Sequence, residues 1–259
     1  MDREFRLRPP SISNREIIKQ AEKLSTDFLL GSGLPATLAV VSFDTIYQDI
    51  IYPTYGIQLE EDDDLGIDAD GKKIFGKYDP VDNVAFVDVC LRKDPRRVFT
   101  CWHEVAGHGI LQGECLRAQM RGQRGCIITT ASSLDFEVRD ILERQANLYA
   151  RHVAAPTAFL CYTVENALNL TRPIQYVGPG TYMLNIRGAQ LRYTIESLND
   201  LCRIIARSIQ WRFGLSLEAL SYRIQQLRIF NDVTKAKVFL HRVAPATTAG
   251  ASYSYALTH

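Results

Sequence analysis

Residues 102–108 read Trp-His-Glu-Val-Ala-Gly-His, a variant of the His-Glu-x-x-His pattern that places two zinc-binding histidines on one helix. Neutral imidazoles are good zinc ligands, and a glutamate beside the first histidine faces the attacking water and can take its proton. His103 and His108 are therefore the predicted metal ligands, and Glu104 is the predicted general base. Only five histidines occur in the whole chain, and two of them lie in this stretch.

The two histidines are five residues apart, where the usual pattern separates them by four. A regular α-helix turns by about 100° per residue, so this step points the two imidazoles about 140° apart. A π-type turn, with its i→i+5 hydrogen bond, absorbs one residue and returns His108 to the face of His103. The sequence therefore predicts a π-type turn within 103–108. Gly107 would cost a helix about 1 kcal/mol relative to alanine, and a bulge or a close backbone contact would explain it.

A catalytic zinc site needs a third protein ligand and one open position. The best candidate is Glu143, on a predicted helix over 133–153. Asn147 lies one turn later, where a polar side chain can orient a histidine ligand. Two nearby carboxylates, Glu137 and Asp140, compete for the ligand position. The alternative is that Glu143 is simply a surface acid.

These segments resemble those of the ImmA/IrrE family of metallopeptidases. That family's pattern runs from a Thr-x-x-His-Glu-x-Gly-His helix to a Glu-x-x-Ala-Asn-x-x-Ala helix closed by a proline. Residues 100–108 follow the first part with one apparent insertion, Ala106, and residues 143–150 follow the second, with Pro156 soon after. Residues 213–220, followed by Arg223 and Leu227, look like the family's closing helix pair. The resemblance covers roughly residues 15–230.

The resemblance implies a zinc centre in which His103, His108 and Glu143 are the ligands and Glu104 is the general base. It also implies an α+β, zincin-like metallopeptidase domain, mostly helical with a small antiparallel sheet. The activity implied is a limited, regulatory cleavage of a helix-turn-helix transcriptional repressor in the cytoplasm. The chain departs from the family at Ala106 and at residues 153–156, which read Val-Ala-Ala-Pro where the family has Leu-Leu-Met-Pro.

The rest of the chain supplies the expected scaffold. We predict a leader over 1–14, a single metallopeptidase-like domain over 15–242, and a flexible tail over 243–259. The metal core spans about 94–156 and the C-terminal helices about 187–230. The predicted elements are a helix opened by a capping box at Ser13, a helix over 41–51, a small antiparallel sheet within 54–90, and helices over 94–112, 133–153, 187–212 and after Ser216.

Other function classes find less support in the sequence. The net charge of +1 gives no global attraction to nucleic acid, although 206–227 superficially resembles a helix-turn-helix whose second helix carries Arg223, Gln225, Gln226 and Arg228. We expect no membrane association and no direct nucleic-acid contact. The six cysteines form no Cys-x-x-Cys pair and are expected to be free thiols in a reducing compartment. A catalytically degenerate peptidase fold that binds proteins remains the main alternative.

Overall fold

The computed structural model describes residues 8–33, 39–61, 63–68, 70–120, 136–168, 175–178, 181–186, 188–228, 230–233 and 238–241. The chain divides into two compact units. The first comprises Met1–Phe28 and Phe43–Ala154, and the second comprises Leu29–Ser42 and Ala155–His259. Helices predominate and the sheets are small, as expected for an α+β protein. The single domain over 15–242 stays a prediction, and the predicted tail lies outside the described residues.

The first unit is mostly helical. Two of its helical segments are π-helical and each continues directly into α-helix. The elements are α1 (Asn14–Gly31), α2 (Phe43–Ile46), a first π segment (Tyr47–Ile51), α3 (Tyr52–Tyr55), a 3₁₀ turn (Val89–Leu91), α4 (Arg97–Cys101), a second π segment called here the site helix (Trp102–Gln112), α5 (Gly113–Met120) and α6 (Phe136–Ala154).

Helix α1 begins where the capping signal predicted, because the Ser13 hydroxyl accepts a hydrogen bond from the Glu16 backbone N–H at 3.2 Å. Its buried face includes Ile17 and Ala21. The buried Ser25 hydroxyl donates to the Val153 carbonyl of α6. These contacts pack α1 against α6, the helix that carries Glu143.

The sheet of the first unit has the order β1-β3-β2, with β1 at Gln58–Glu60, β2 at Gly76–Asp79 and β3 at Val84–Val87. Strand β2 pairs antiparallel with β3, but β1 pairs parallel with β3. The expectation of a purely antiparallel sheet is therefore wrong. A short turn after β2 reverses the chain into β3, and β1 lies on the opposite side of β3, where it runs in the same direction.

The second unit combines helices with antiparallel strands, β4-β5-β6 in one sheet and β7-β8 in another. Its elements are α7 (Thr157–Leu168), β4 (Gln175–Gly178), β5 (Thr181–Ile186), β6 (Ala189–Thr194), α8 (Leu198–Ile209), a 3₁₀ turn (Gln210–Arg212), α9 (Leu217–Gln226), β7 (Phe230–Val233) and β8 (Val238–His241). Ser216 caps α9 as predicted, by accepting from the Ala219 N–H at 3.2 Å.

The predicted helix over 187–212 is wrong in its first part. Residues Ala189–Thr194 form strand β6, paired with β5, after a turn at Gly188, whose φ is +84°. The helix begins only at Leu198, where Ser197 and Asp200 form a capping box. Within the described parts of the chain, no helix is long and apolar enough to cross a bilayer.

Candidate metal centre

The site helix confirms the predicted π-type turn and extends it. The π-helical segment runs over eleven residues, from Trp102 to Gln112, between α4 and α5. The wider turn brings His103 and His108 to one face, with their ring centroids 4.7 Å apart and the ring planes at 84°. The five-residue step therefore does not separate the two imidazoles.

Gly107 is where the site helix contacts α6. A Cβ added to Gly107 would lie 2.8 Å from the Cα, Cβ and carbonyl oxygen of Ala146. Real Cβ atoms do not approach backbone this closely, so the contact requires glycine at position 107. The close approach that the sequence suggested is present, and it places Glu143, one turn before Ala146, opposite the histidines.

The other side of the site helix lies against the sheet through further glycines. A Cβ on Gly109 would lie 2.7 Å from Cδ1 of Ile57, the residue before β1, and 3.4 Å from Cε2 of Tyr78 in β2. A Cβ on Gly76, also in β2, would lie 2.5 Å from Oε1 of Glu104. The absence of a side chain at Gly76 thus makes room for the Glu104 carboxylate, which is only 6% exposed.

The three predicted ligands converge. The distances are 3.1 Å from His103 Nε2 to His108 Nε2, 3.1 Å from His103 Nε2 to Glu143 Oε2, and 3.6 Å from His108 Nε2 to Glu143 Oε1. Among the described residues this is the group of histidine, cysteine and carboxylate side chains that could hold a metal ion. The Glu143 side chain is about half exposed, so the cluster can be reached from solvent.

These separations fit a tetrahedral zinc ion. Zinc–nitrogen and zinc–oxygen bonds of about 2.0–2.2 Å give a tetrahedron whose ligand atoms are about 3.3 Å apart. The three observed distances, 3.1, 3.1 and 3.6 Å, lie close to that value. Two imidazoles and one carboxylate also form a donor set that catalytic zinc sites use, with the fourth position left for water or substrate.

The charges of the cluster shift the pKa values of its members in opposite directions. Burial would raise the pKa of Glu143, but the two histidines hold it well below its ordinary range through hydrogen bonds and charge. Burial would lower the pKa of His108, but Glu143, Glu104 and a hydrogen bond to Gln112 raise it to about 9. Burial raises the pKa of Glu104, and the charge of Glu143 adds to this while the histidines oppose it.

A second layer of contacts supports one histidine and not the other. His108 Nδ1 lies 2.9 Å from Oε1 of Gln112, a fully buried side chain. Among the described residues, the buried Nδ1 atom of His103 has no hydrogen-bond partner. Asn147, predicted to orient a histidine, makes no hydrogen bond to either imidazole in the described part of the chain. Gln112 occupies that role, and its position one turn after His108 on the same helix is the signal that the sequence offered.

The competing side chains lie outside the cluster. Asp140 is exposed and forms an ion pair with Arg144 at 3.2 Å, and Glu137 is exposed on α6. Arg117 of α5 donates a hydrogen bond to the Tyr78 hydroxyl at 2.8 Å. The cysteines at 90, 101, 115, 161 and 202 are free, as expected, and Cys126 lies outside the described residues.

The possible DNA-reading helix is α9. Its Arg223 is buried and donates hydrogen bonds to the Ala155 carbonyl at 3.2 Å and to the Thr157 hydroxyl at 2.9 Å. A guanidinium held in this way serves the packing of the second unit and does not project toward a DNA groove. Gln225 and Gln226 are exposed.

Comparisons with known proteins add little to this geometry. No protein-family model matches the chain, and no curated protein matches it significantly. Among solved structures, the chain is similar to part of a Mycobacterium tuberculosis transcriptional regulator, with a TM-score of 0.44 and 15% sequence identity. The match covers 83% of this chain and 47% of that one, so the chain spans about half of that protein's length. A likeness this low carries no argument about fold or function.

Proposed function

We propose that the chain is a zinc-dependent endopeptidase of the ImmA/IrrE kind. The observation that carries the proposal is the convergence of His103, His108 and Glu143, whose donor atoms are spaced like the edges of a tetrahedral zinc site. The buried Glu104 lies on the same helix as the two histidines. The α+β architecture with a mixed sheet agrees with a zincin-like domain, which is part of the proposal.

The chemistry divides between the metal and the protein. A zinc ion at these three donors would lower the pKa of a water molecule and polarise the scissile carbonyl. Glu104 would accept a proton from the attacking water and donate it to the leaving amine. Its raised pKa suits both transfers, because a group that ionises nearer to neutral pH can both accept and release a proton. Gly76 leaves space for the carboxylate beside the edge strand β2.

The proposed substrate is a helix-turn-helix repressor, cleaved at a limited site in the cytoplasm. Resemblance to the family is the reason for naming this substrate. Two observations agree with it: the chain has a net charge of +1, and Arg223 of the helix pair that resembles a DNA reader is committed to internal contacts. Because Arg223 of α9 is held by these internal contacts, we propose that the repressor is recognised by protein contact.

Metal analysis combined with a cleavage assay tests the proposal. The purified chain should contain one zinc per molecule and should cleave a repressor encoded near its gene at one position, identified by mass spectrometry. Casein should be cleaved only slowly. Rapid, unselective digestion of casein would remove the regulatory part of the proposal. Full zinc occupancy without cleavage of any repressor would favour a catalytically degenerate binding module.

A further inference from the structure

Gln112 is a buried amide that bridges the two helices of the metal centre. Its Oε1 lies 2.9 Å from His108 Nδ1 on the site helix, and its Nε2 donates to the Leu142 carbonyl of α6 at 2.8 Å. Leu142 directly precedes Glu143, so a single side chain contacts one ligand and the backbone beside another. The side chain is 0% exposed, which leaves these contacts free of competition from water.

The orientation of the amide follows from the Leu142 carbonyl. A backbone carbonyl can only accept a hydrogen bond, so the amide NH₂ of Gln112 must face it and Oε1 must face His108. An oxygen at that position requires a hydrogen on His108 Nδ1, which leaves Nε2 as the ring atom available to a metal. That same Nε2 atom faces His103 and Glu143. The backbone of α6 therefore determines which nitrogen of His108 coordinates.

His103 shows what the site lacks without such a partner. Its Nδ1 atom is buried and has no hydrogen-bond partner within the described residues, so nothing there holds its ring in the same way. Metal-ligating histidines ordinarily donate their second N–H to an acceptor, and loss of that acceptor lowers the metal affinity by about 10- to 100-fold. Among the described residues, the hydrogen bond that orients a histidine of the cluster is therefore the one between His108 and Gln112.

We infer that Gln112 is the positioning residue of this metal centre: it sets the coordinating nitrogen of His108 and fixes that imidazole relative to Glu143. The inference rests on the proposed metal site but not on peptidase activity. Methionine at position 112 should fill the same space with neither an acceptor for His108 nor a donor for Leu142, whereas glutamate keeps an oxygen facing His108 and loses only the donor. The two substitutions therefore separate the hydrogen bond from the volume of the side chain.

A matched control lies on the continuation of the same helix. Gln119 of α5 also uses its side-chain amide for hydrogen bonds, donating to the Arg8 carbonyl at 2.8 Å and accepting from the Arg8 N–H at 2.7 Å. It contacts neither histidine. Gln119→Met therefore removes a glutamine amide from this helical run without altering the support of His108.

Two measurements test the inference. The first is zinc affinity, determined by competition with a chromophoric chelator, and the second is the visible spectrum of the cobalt-loaded protein. Gln112→Met should weaken zinc binding about 10- to 100-fold and alter the cobalt spectrum at saturation. Gln112→Glu, which loses the donor to Leu142 but keeps the acceptor for His108, should weaken zinc binding less and keep the wild-type spectrum. Gln119→Met should stay within about threefold of wild type with an unchanged spectrum. Unchanged affinity in Gln112→Met, or an equal loss in Gln112→Glu or Gln119→Met, overturns it.

Two further outcomes keep this inference separate from the proposed function. If Gln112→Met does not fold, as judged by circular dichroism of the metal-free protein, the cobalt spectrum of Gln112→Glu decides alone, and an altered spectrum at saturation overturns the inference. A wild-type chain that binds neither zinc nor cobalt refutes the metal site itself. A chain that shows the expected affinities but cleaves no protein supports the role of Gln112 and contradicts only the peptidase.

Discussion

Two of the described segments of the first unit are π-helical, and their side chains have different roles. The first π segment, Tyr47–Ile51, uses them for packing: Tyr47 stacks on Phe43 at 5.7 Å and donates its hydroxyl to the Ile57 carbonyl at 3.0 Å, and Ile51 is buried. The site helix, Trp102–Gln112, instead presents two imidazoles to a cluster that Glu143 of α6 completes, and it carries the buried Glu104.

A π-helical turn therefore specifies the geometry of a helix but no particular chemistry. It moves later side chains onto a different face of a helix, and the residues on that face decide the consequence. In the first π segment the result is aromatic and aliphatic packing. In the site helix the same widening brings together His103 and His108, which a regular α-helix would hold apart.

The largest effect is expected at the ligands. Alanine at His103, His108 or Glu143 removes one of three donors, and the triple variant should contain essentially no zinc after dialysis. Asp49→Ala, an exposed change in the first π segment, should leave zinc content unchanged. Atomic absorption of the purified variants measures this. Zinc content that survives the triple substitution would mean that the metal is held elsewhere.

The next effect concerns the acid in the first turn of each segment, Glu104 and Asp49. Glu104→Gln removes the proton acceptor but keeps the shape of the side chain, so zinc should stay bound while peptide cleavage falls about 100- to 10,000-fold. Asp49→Asn should leave both unchanged. Activity retained by Glu104→Gln, with zinc bound, would exclude Glu104 as the general base.

A smaller effect on stability is expected at Gly107. An added methyl group meets Ala146 at 2.8 Å, so Gly107→Ala should lower the free energy of unfolding by about 1–3 kcal/mol through overpacking. The matched change is Gly31→Ala, at the end of α1, where nothing lies within 4 Å of the new methyl group. Urea unfolding compares the two. Equal stability of both variants would show that the site helix can move away from α6.

The smallest effect is expected in the first π segment. Tyr47→Phe removes the hydrogen bond to the Ile57 carbonyl and leaves the ring stack on Phe43 in place. The free energy of unfolding should fall by about 1 kcal/mol, with zinc affinity unchanged. A change in zinc affinity comparable to that of Gln112→Met would mean that the two π segments are coupled, which the comparison above does not predict.

Several features were predictable because local chemistry determines them. The spacing of His103 and His108 required a π-type turn, and one is present. Ser13 and Ser216 start α1 and α9 because a hydroxyl at these positions satisfies an otherwise unpaired backbone N–H. Glu143 could be selected over its neighbours only by resemblance, since Glu137 and Asp140 lie on the same helix and are equally acidic.

Other features depend on partners that a local pattern does not reveal. Leu191, Ile195 and Leu198 have helical spacing, yet Leu191 lies in β6, because this segment pairs with β5. The Leu191 side chain is exposed there. The direction of β1 is set by its position on the far side of β3. Gln112 lies one turn after His108, but its role was missed because the group that orients its amide is the Leu142 carbonyl. Every residue carries such a backbone carbonyl, so the sequence does not mark this one.

The contact between Gly107 and Ala146 has a consequence for genome searches. A pattern written with four-residue histidine spacing passes over every chain built like this one. The contact supplies a better query, because it links two distant positions: a glycine just before the second histidine, and a small residue three places after Glu143. His-Glu-x-x-Gly-His followed by Glu-x-x-Ala therefore describes this arrangement in letters, and chains that satisfy both halves are expected to share its widened helix.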